Sequence, residues 1–141
     1  MLLTRASEYA LLSLEKIRRS SVPIGSEQLA RELSIPKSYL AKILQSLARN
    51  NILKSHRGAQ GGFTIPGDLS KITVYDVILA AEGRLPVVFD CTLYQNTCPN
   101  GAIGTCAISP FLLRFQEKID IFLNDLTLED LFEEREEGQI S

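Results

Sequence analysis

Histidine occurs once in this 141-residue chain and cysteine three times, and no apolar run approaches the roughly 20 residues that a membrane-spanning helix needs. Each shortage removes a class of protein. The single histidine, His56, lies far along the chain from every cysteine. It is a poor choice as a shared metal ligand, and it is badly placed as the base for a cysteine nucleophile. Three cysteines are an odd number for disulfides and one short of a four-thiolate zinc site. No internal repeat or low-complexity linker interrupts the chain. The opening "MLLTRASEYALL" lacks the basic-then-apolar layout of a signal peptide, so a reducing cytoplasm is the expected setting. Clustered cysteines there more often bind metal or do redox chemistry than form structural disulfides.

What is present is an ordinary globular composition, 45% hydrophobic and 23% charged, long enough for one domain with a real core. The net charge of −2 conceals an uneven distribution: residues 1–84 carry a balance of +5 and residues 85–141 one of −7. A basic first half suits a polyanionic partner. The acidic stretch "EDLFEEREEG" near the end is expected to be solvated and frayed.

Helix signals open the chain. "SEYALLSLEKIRR" sets Tyr9, Leu12 and Leu14 near Ala10 and Ile17 at helical spacing, and Glu15 stands four residues before Arg19. Pro23 and Gly25 end that segment. Ser26 is predicted to cap "EQLAREL", and Pro36 suits the first turn of "KSYLAKILQSLARN". After Asn50-Asn51 the period shortens. "ILKSHR" and "GFTIP", separated by "GAQGG", read as a β-hairpin. Thr73 and Asp76 form a capping box for "VYDVILAAEG", which stops at Gly83. Three helices, a hairpin and a helix make a winged helix-turn-helix.

Ser109-Pro110 reads as an N-cap and first turn of a further helix. Leu112, Phe115, Ile119, Phe122 and Leu126 follow at intervals of 3 and 4, a heptad seam that Phe111, Ile121 and Leu123 widen. Such a helix wants cover on more than one side, and a homodimer through it is expected. Thr127 and Asp130 make another capping box. The predicted fold is thus mainly α with a small β-hairpin wing. Residues 1–84 form the DNA-binding head, 85–108 a cysteine loop, and 109–141 a dimerisation helix with an acidic tail.

The third helix is the candidate DNA reader, because a major groove admits one helix and residues near its start reach base edges. Lys37, Ser38, Tyr39 and Lys42 lie there. Between Arg31 and Arg57 stand six basic residues and one acid, Glu32. Arg57, Gly58 and Gln60 would form the wing tip, where glycine lets backbone approach a phosphate or enter a narrow minor groove. His56 is assigned to the surface or to the flank of a DNA contact.

The stretch "CTLYQNTCPNGAIGTC" holds Cys91, Cys98 and Cys106, separated by six and seven residues. This spacing lacks the paired C-x2-C hooks of a zinc ribbon. Pro, Gly and Asn let such a loop fold back on itself, and thiolates are what iron–sulfur clusters require. A disulfide switch between two of the three, buried structural thiols and a cysteine nucleophile are the competing readings.

Taken together, "YALLSL", "SEQLARELSIPKSYLAKILQSLARNNILKSHRGAQGGFTI", "ITVYDVILAAEG" and the three-cysteine loop resemble the Rrf2 family of bacterial transcription regulators, over essentially residues 1–135. The resemblance implies a homodimeric winged-helix repressor on a double-stranded DNA operator, with no membrane partner and no enzymatic activity. It implies that Cys91, Cys98 and Cys106 ligate an iron–sulfur cluster whose state sets DNA affinity. Relatives differ in the fourth ligand. Some place a histidine three residues after the last cysteine, where this chain has Ser109. Another adds one in the first helix, where this chain has Leu12. One places a carboxylate in the first helix that crosses the dimer, and Glu8 holds that position here. The resemblance therefore points to a 4Fe–4S cluster rather than 2Fe–2S, with Glu8 of the partner subunit as fourth ligand. The alternative is a relative without a cluster, sensing through cysteine oxidation or a partner protein.

Overall fold

The computed structural model describes residues 3–89, 91, 98, 101–102 and 104–137. Helix α1 spans Arg5–Arg19, with Thr4 as its N-cap accepting from the amide of Ala6. Its inner face is Ala6, Ala10, Leu14 and Ile17, while Leu12 lies on the outer side. Glu15 is buried between Arg18 and Arg19, the second being the pair at i,i+4 expected from sequence.

Helix α2 is Ser26–Leu33 and α3 is Lys37–Arg49. The N-cap of α2 is Gly25 rather than Ser26, because the chain enters directly from the extended pairing of Ile24 and the first turn is already helical at Ser26. The turn between α2 and α3 is three residues long. Ser34 takes the left-handed conformation at φ 57°, and buried Ile35 fastens the turn by donating to the carbonyl of Ala30. Leu40, Leu44 and Leu47 of α3 are fully buried, and each such side chain contributes about 2 kcal/mol.

The wing is shorter than the apolar runs in the sequence. Strand β1 is Lys54–His56 and β2 is Gly62–Thr64, antiparallel, with Ser55 opposite Phe63. Ile52 and Leu53 are both buried, and their amides both bond the carbonyl of Leu47. They finish α3 rather than begin the strand, since two successive strand residues cannot face one core. Ile24 pairs with Phe63 on the other side of β2. A 3-10 turn at Leu69–Lys71 leads to α4, Val74–Glu82, which has the predicted Thr73/Asp76 capping box and ends at Gly83 with φ 70°.

Helix α5 covers Ser109–Asp125 and α6 covers Leu128–Glu137. Ile108, not Ser109, is the N-cap of α5, and no side chain caps it. The Thr127/Asp130 box opens α6. The acidic stretch from Glu129 onward starts within this helix, the short last helix that the capping box predicts. Leu128 and Phe132 enter the main core with α1, α2 and α3, and the Arg18 guanidinium lies 4.8 Å above the Phe132 ring. The main chain ties this return, with Val74 donating to Leu126 and Leu128 to Ile72.

The heptad seam of α5 divides between two surroundings. Leu112 and Leu123 are buried, and Ile119 and Leu126 pack with Val74 and Ile78 of α4. Phe111, Phe115 and Phe122 stay exposed along the neighbouring edge, with the first two rings stacked. None of the described helices is long and apolar enough to cross a membrane.

Candidate nucleic-acid interface and cysteine loop

The core face of α3 fixes which side chains point outward. With Leu40, Ile43, Leu44 and Leu47 inside, Ser38 and Lys42 lie on the opposite side. Neither makes a hydrogen bond or ion pair among the described residues. The other two predicted readers are partly engaged within the chain. Lys37 pairs with Glu27 at 3.3 Å on the surface, and the Tyr39 ring meets Tyr9 of α1 edge-on at 5.7 Å between centroids. An exposed ion pair is worth about 0–1 kcal/mol, so a phosphate can displace Glu27. Gln45 and Arg49 are also exposed on the outer face and were not among the predicted residues. Their spacing of 4, 3 and 4 from Ser38 is the signal that marks them.

At the wing tip Arg57, Gly58 and Gln60 are exposed. The glycines there answer first to the fold. Gly58 has φ 106°, which side chains rarely adopt, and its carbonyl accepts from the Gly61 amide at 2.9 Å. A Cβ on Gly62 would lie 2.5 Å from the backbone of Ile24, so close approach of that third segment requires glycine. His56 is half-buried in β1, with Nε2 2.7 Å from the Thr64 hydroxyl across the hairpin.

The loop after α4 starts fastened to α5. Gln116 donates to the carbonyl of Pro86 and accepts from the amide of Val88. Cys91, Cys98 and Cys106 are free thiols and each is half-buried. Around Cys98 the chain turns back: Gly101, with φ 64°, donates to the Cys98 carbonyl, and the Ala102 amide donates to Cys98 Sγ at 3.3 Å. Among the described residues no three Cys, His, Asp or Glu side chains converge as a metal site. The donor set is right in kind for a thiolate-bound cluster, being three reduced cysteines on one loop. Glu8 is exposed on the first turn of α1 and pairs with Arg5 at 3.1 Å, apart from any cysteine of its own chain among the described contacts.

One carboxylate at the end of α4 gathers donors from α1 and its N-cap. The Glu82 carboxylate, in the last turn of α4, accepts from the amide and hydroxyl of Thr4 and from the hydroxyl of Ser7. Burial opposes its ionisation, but these hydrogen bonds outweigh burial and hold its pKa below the ordinary carboxylate value. The sequence carried no signal for this contact, which joins residues 78 and 75 positions apart.

Comparison with known proteins places these features in company. The profile of a family described as "Rrf2: iron-dependent transcriptional regulator" matches residues 3–134. YffB of Lactococcus lactis, named as an HTH-type transcriptional regulator, is 33% identical over 130 residues, covering 91% of this chain and 83% of that protein. The HTH-type transcriptional repressor NsrR of Streptomyces coelicolor is 29% identical over 134 residues, covering 93% and 88%. The solved structure of CymR, the global cysteine regulator of B. subtilis, superposes with a TM-score of 0.70 at 22% identity, covering 93% and 95% of the two chains. That last likeness is one of fold.

Proposed function

The chain belongs to the Rrf2 family of transcriptional regulators, and from that premise we propose that it works as a homodimeric repressor whose affinity for its operator is set by an iron–sulfur cluster on the cysteine loop. It is a DNA-binding transcription regulator and not an enzyme. The finer reading rests on one observation: three free thiols share the loop that joins the DNA-binding head to the exposed apolar edge of α5.

Cys91, Cys98 and Cys106 would hold the cluster, with Glu8 of the partner subunit as the oxygen ligand of a 4Fe–4S centre. Bound there, such a cluster supplies iron that reacts with oxygen or nitric oxide and exchanges with the iron supply. The chain's own contribution is to orient. An amide already donates to Cys98 Sγ, and hydrogen bonds of this kind tune a cluster's potential. The exposed Phe111, Phe115 and Phe122 supply the apolar edge through which two copies pair. The outer face of α3 enters the major groove, and the tip at Arg57, Gly58 and Gln60 flanks it.

A second reading takes the same three free, half-buried thiols as redox-active in themselves. In it, two of the thiols reduce hydrogen peroxide to two waters and join as a disulfide, and the oxidised loop alters DNA affinity.

Anaerobic purification followed by a visible spectrum and assays of iron and acid-labile sulfide separates the two. Brown protein is expected, with colour lost when Cys91, Cys98 or Cys106 is changed to Ser, because serine is a far weaker iron ligand than thiolate. Colourless protein that resists reconstitution, but loses thiols and DNA affinity with peroxide, would establish the second reading.

A further inference from the structure

The outward row of α3 is longer than the part of it that the sequence marks as a DNA reader. Ser38, Lys42, Gln45 and Arg49 succeed one another at 4, 3 and 4 residues, so they share one side of the helix. All four are exposed, and the opposite side is the buried row from Leu40 to Leu47. None of the four has a hydrogen-bond or ion-pair partner among the described residues, whereas Lys37 leans on Glu27. No acidic side chain stands on α3 at all.

We propose that Gln45 and Arg49 complete the reading row, with the Gln45 amide on a base edge and the Arg49 guanidinium on a phosphate. This rests on the DNA-binding reading above and adds to it a footprint. A helix rises 1.5 Å per residue, so Ser38 to Lys42 spans about 6 Å, or roughly two base steps of 3.4 Å. Ser38 to Arg49 spans about 16 Å, or roughly five steps. Each subunit then covers about five base pairs, of which the stretch from Ser38 to Gln45 reads roughly three. The chemistry suits the positions. An amide side chain offers a donor and an acceptor side by side, which matches N6 and N7 of adenine. Arg49 lies in the last turn of the helix, where the helix leaves the groove and meets the backbone, and a guanidinium grips a phosphate with two N–H bonds.

The test begins with the wild-type dimer and a randomised duplex library, from which the preferred operator is selected. Binding of that duplex and of an unrelated duplex is then measured over a salt series for wild type, Gln45→Ala, Arg49→Ala and Arg49→Lys. Gln45→Ala is expected to lose preference at one position per half-site, lowering affinity for the selected duplex five-fold or more while leaving the unrelated duplex unaffected. Arg49→Ala is expected to weaken both duplexes alike and to flatten the salt slope by about 0.9 per subunit. Arg49→Lys should keep most of that slope. A circular dichroism melt at the wild-type midpoint excludes unfolding as the cause. If the wild type selects an operator, yet Gln45→Ala keeps the full preference and Arg49→Ala the full slope, the extended row is wrong. If the wild type selects no duplex, it is the underlying reading that fails.

Discussion

The hydroxyl of Ser46, on α3, donates to the backbone carbonyl of Ala80, in the last turn of α4, at 2.6 Å. The proposed reading helix is thereby tied to the element from which the cysteine loop departs. Two residues further along α4, Glu82 ties the same turn to Thr4 and Ser7 at the start of α1. The end of α4 is thus a junction of three elements, where directional polar contacts are added to the apolar packing of Ala80 and Ala81.

Ser46→Ala removes the donor and leaves the Ala80 carbonyl without that partner. A loss of about 1 kcal/mol of unfolding free energy is expected, read from the midpoint of a urea titration at unchanged slope. A variant as stable as wild type would show that the bond contributes nothing net.

Acid should weaken the same junction through Glu82. Its folded pKa is depressed, so the stability it adds is present above the unfolded carboxylate value of about 4.5 and is lost as pH falls through the lower folded value. Unfolding free energy measured from pH 6 down to pH 3 should fall less steeply in Glu82→Gln than in wild type. Parallel curves would remove Glu82 from the acid limb.

Two of the three wing glycines, Gly58 and Gly62, should differ in sensitivity. Gly62→Ala places a methyl 2.5 Å from the backbone of Ile24, at φ 149°, so the pairing of Ile24 with Phe63 must give way. Gly58→Ala meets no atom within 4 Å and bears only the strain of φ 106°. About 1–3 kcal/mol is expected for the strained backbone at Gly58, and more for Gly62. Thermal melts of both variants decide the order, and equal midpoints would contradict it.

Phe115→Asp should separate the proposed dimer without unfolding the chain, since that ring is exposed and packs on Phe111 rather than in a core. Sedimentation of the variant should give the monomer mass where wild type gives twice that mass. A variant that sediments as wild type would place the interface elsewhere.

Glu8→Ala tests the cross-subunit ligand. The Arg5–Glu8 pair is exposed, so its loss should change stability by less than about 1 kcal/mol. Cluster spectrum and rate of decay in air should change all the same. Identical spectra and rates would leave Glu8 as half of a surface ion pair.

Much of this molecule is legible in the chain because its signals are local. The 3-and-4 spacing of Leu40, Ile43, Leu44 and Leu47 defines both faces of α3, and the two Thr/Asp boxes announce the starts of α4 and α6. A helix period and a capping hydrogen bond each involve residues within four positions of one another, so one sequence suffices to see them. Boundaries moved where distant partners intervened. Ser26 lost the N-cap to Gly25 beside the Ile24–Phe63 pairing, and Ile52 and Leu53 were drawn out of the strand by the core. The division of the α5 seam also needed the fold. Periodicity says which residues share a stripe, but only packing against α4 separates buried Leu123 from exposed Phe115 and Phe122. Phe132 entering the core beneath Arg18, and Glu82 reaching Thr4 and Ser7, are contacts across most of the chain length. They depend on how helices pack in space, which residue spacing along a single helix does not encode.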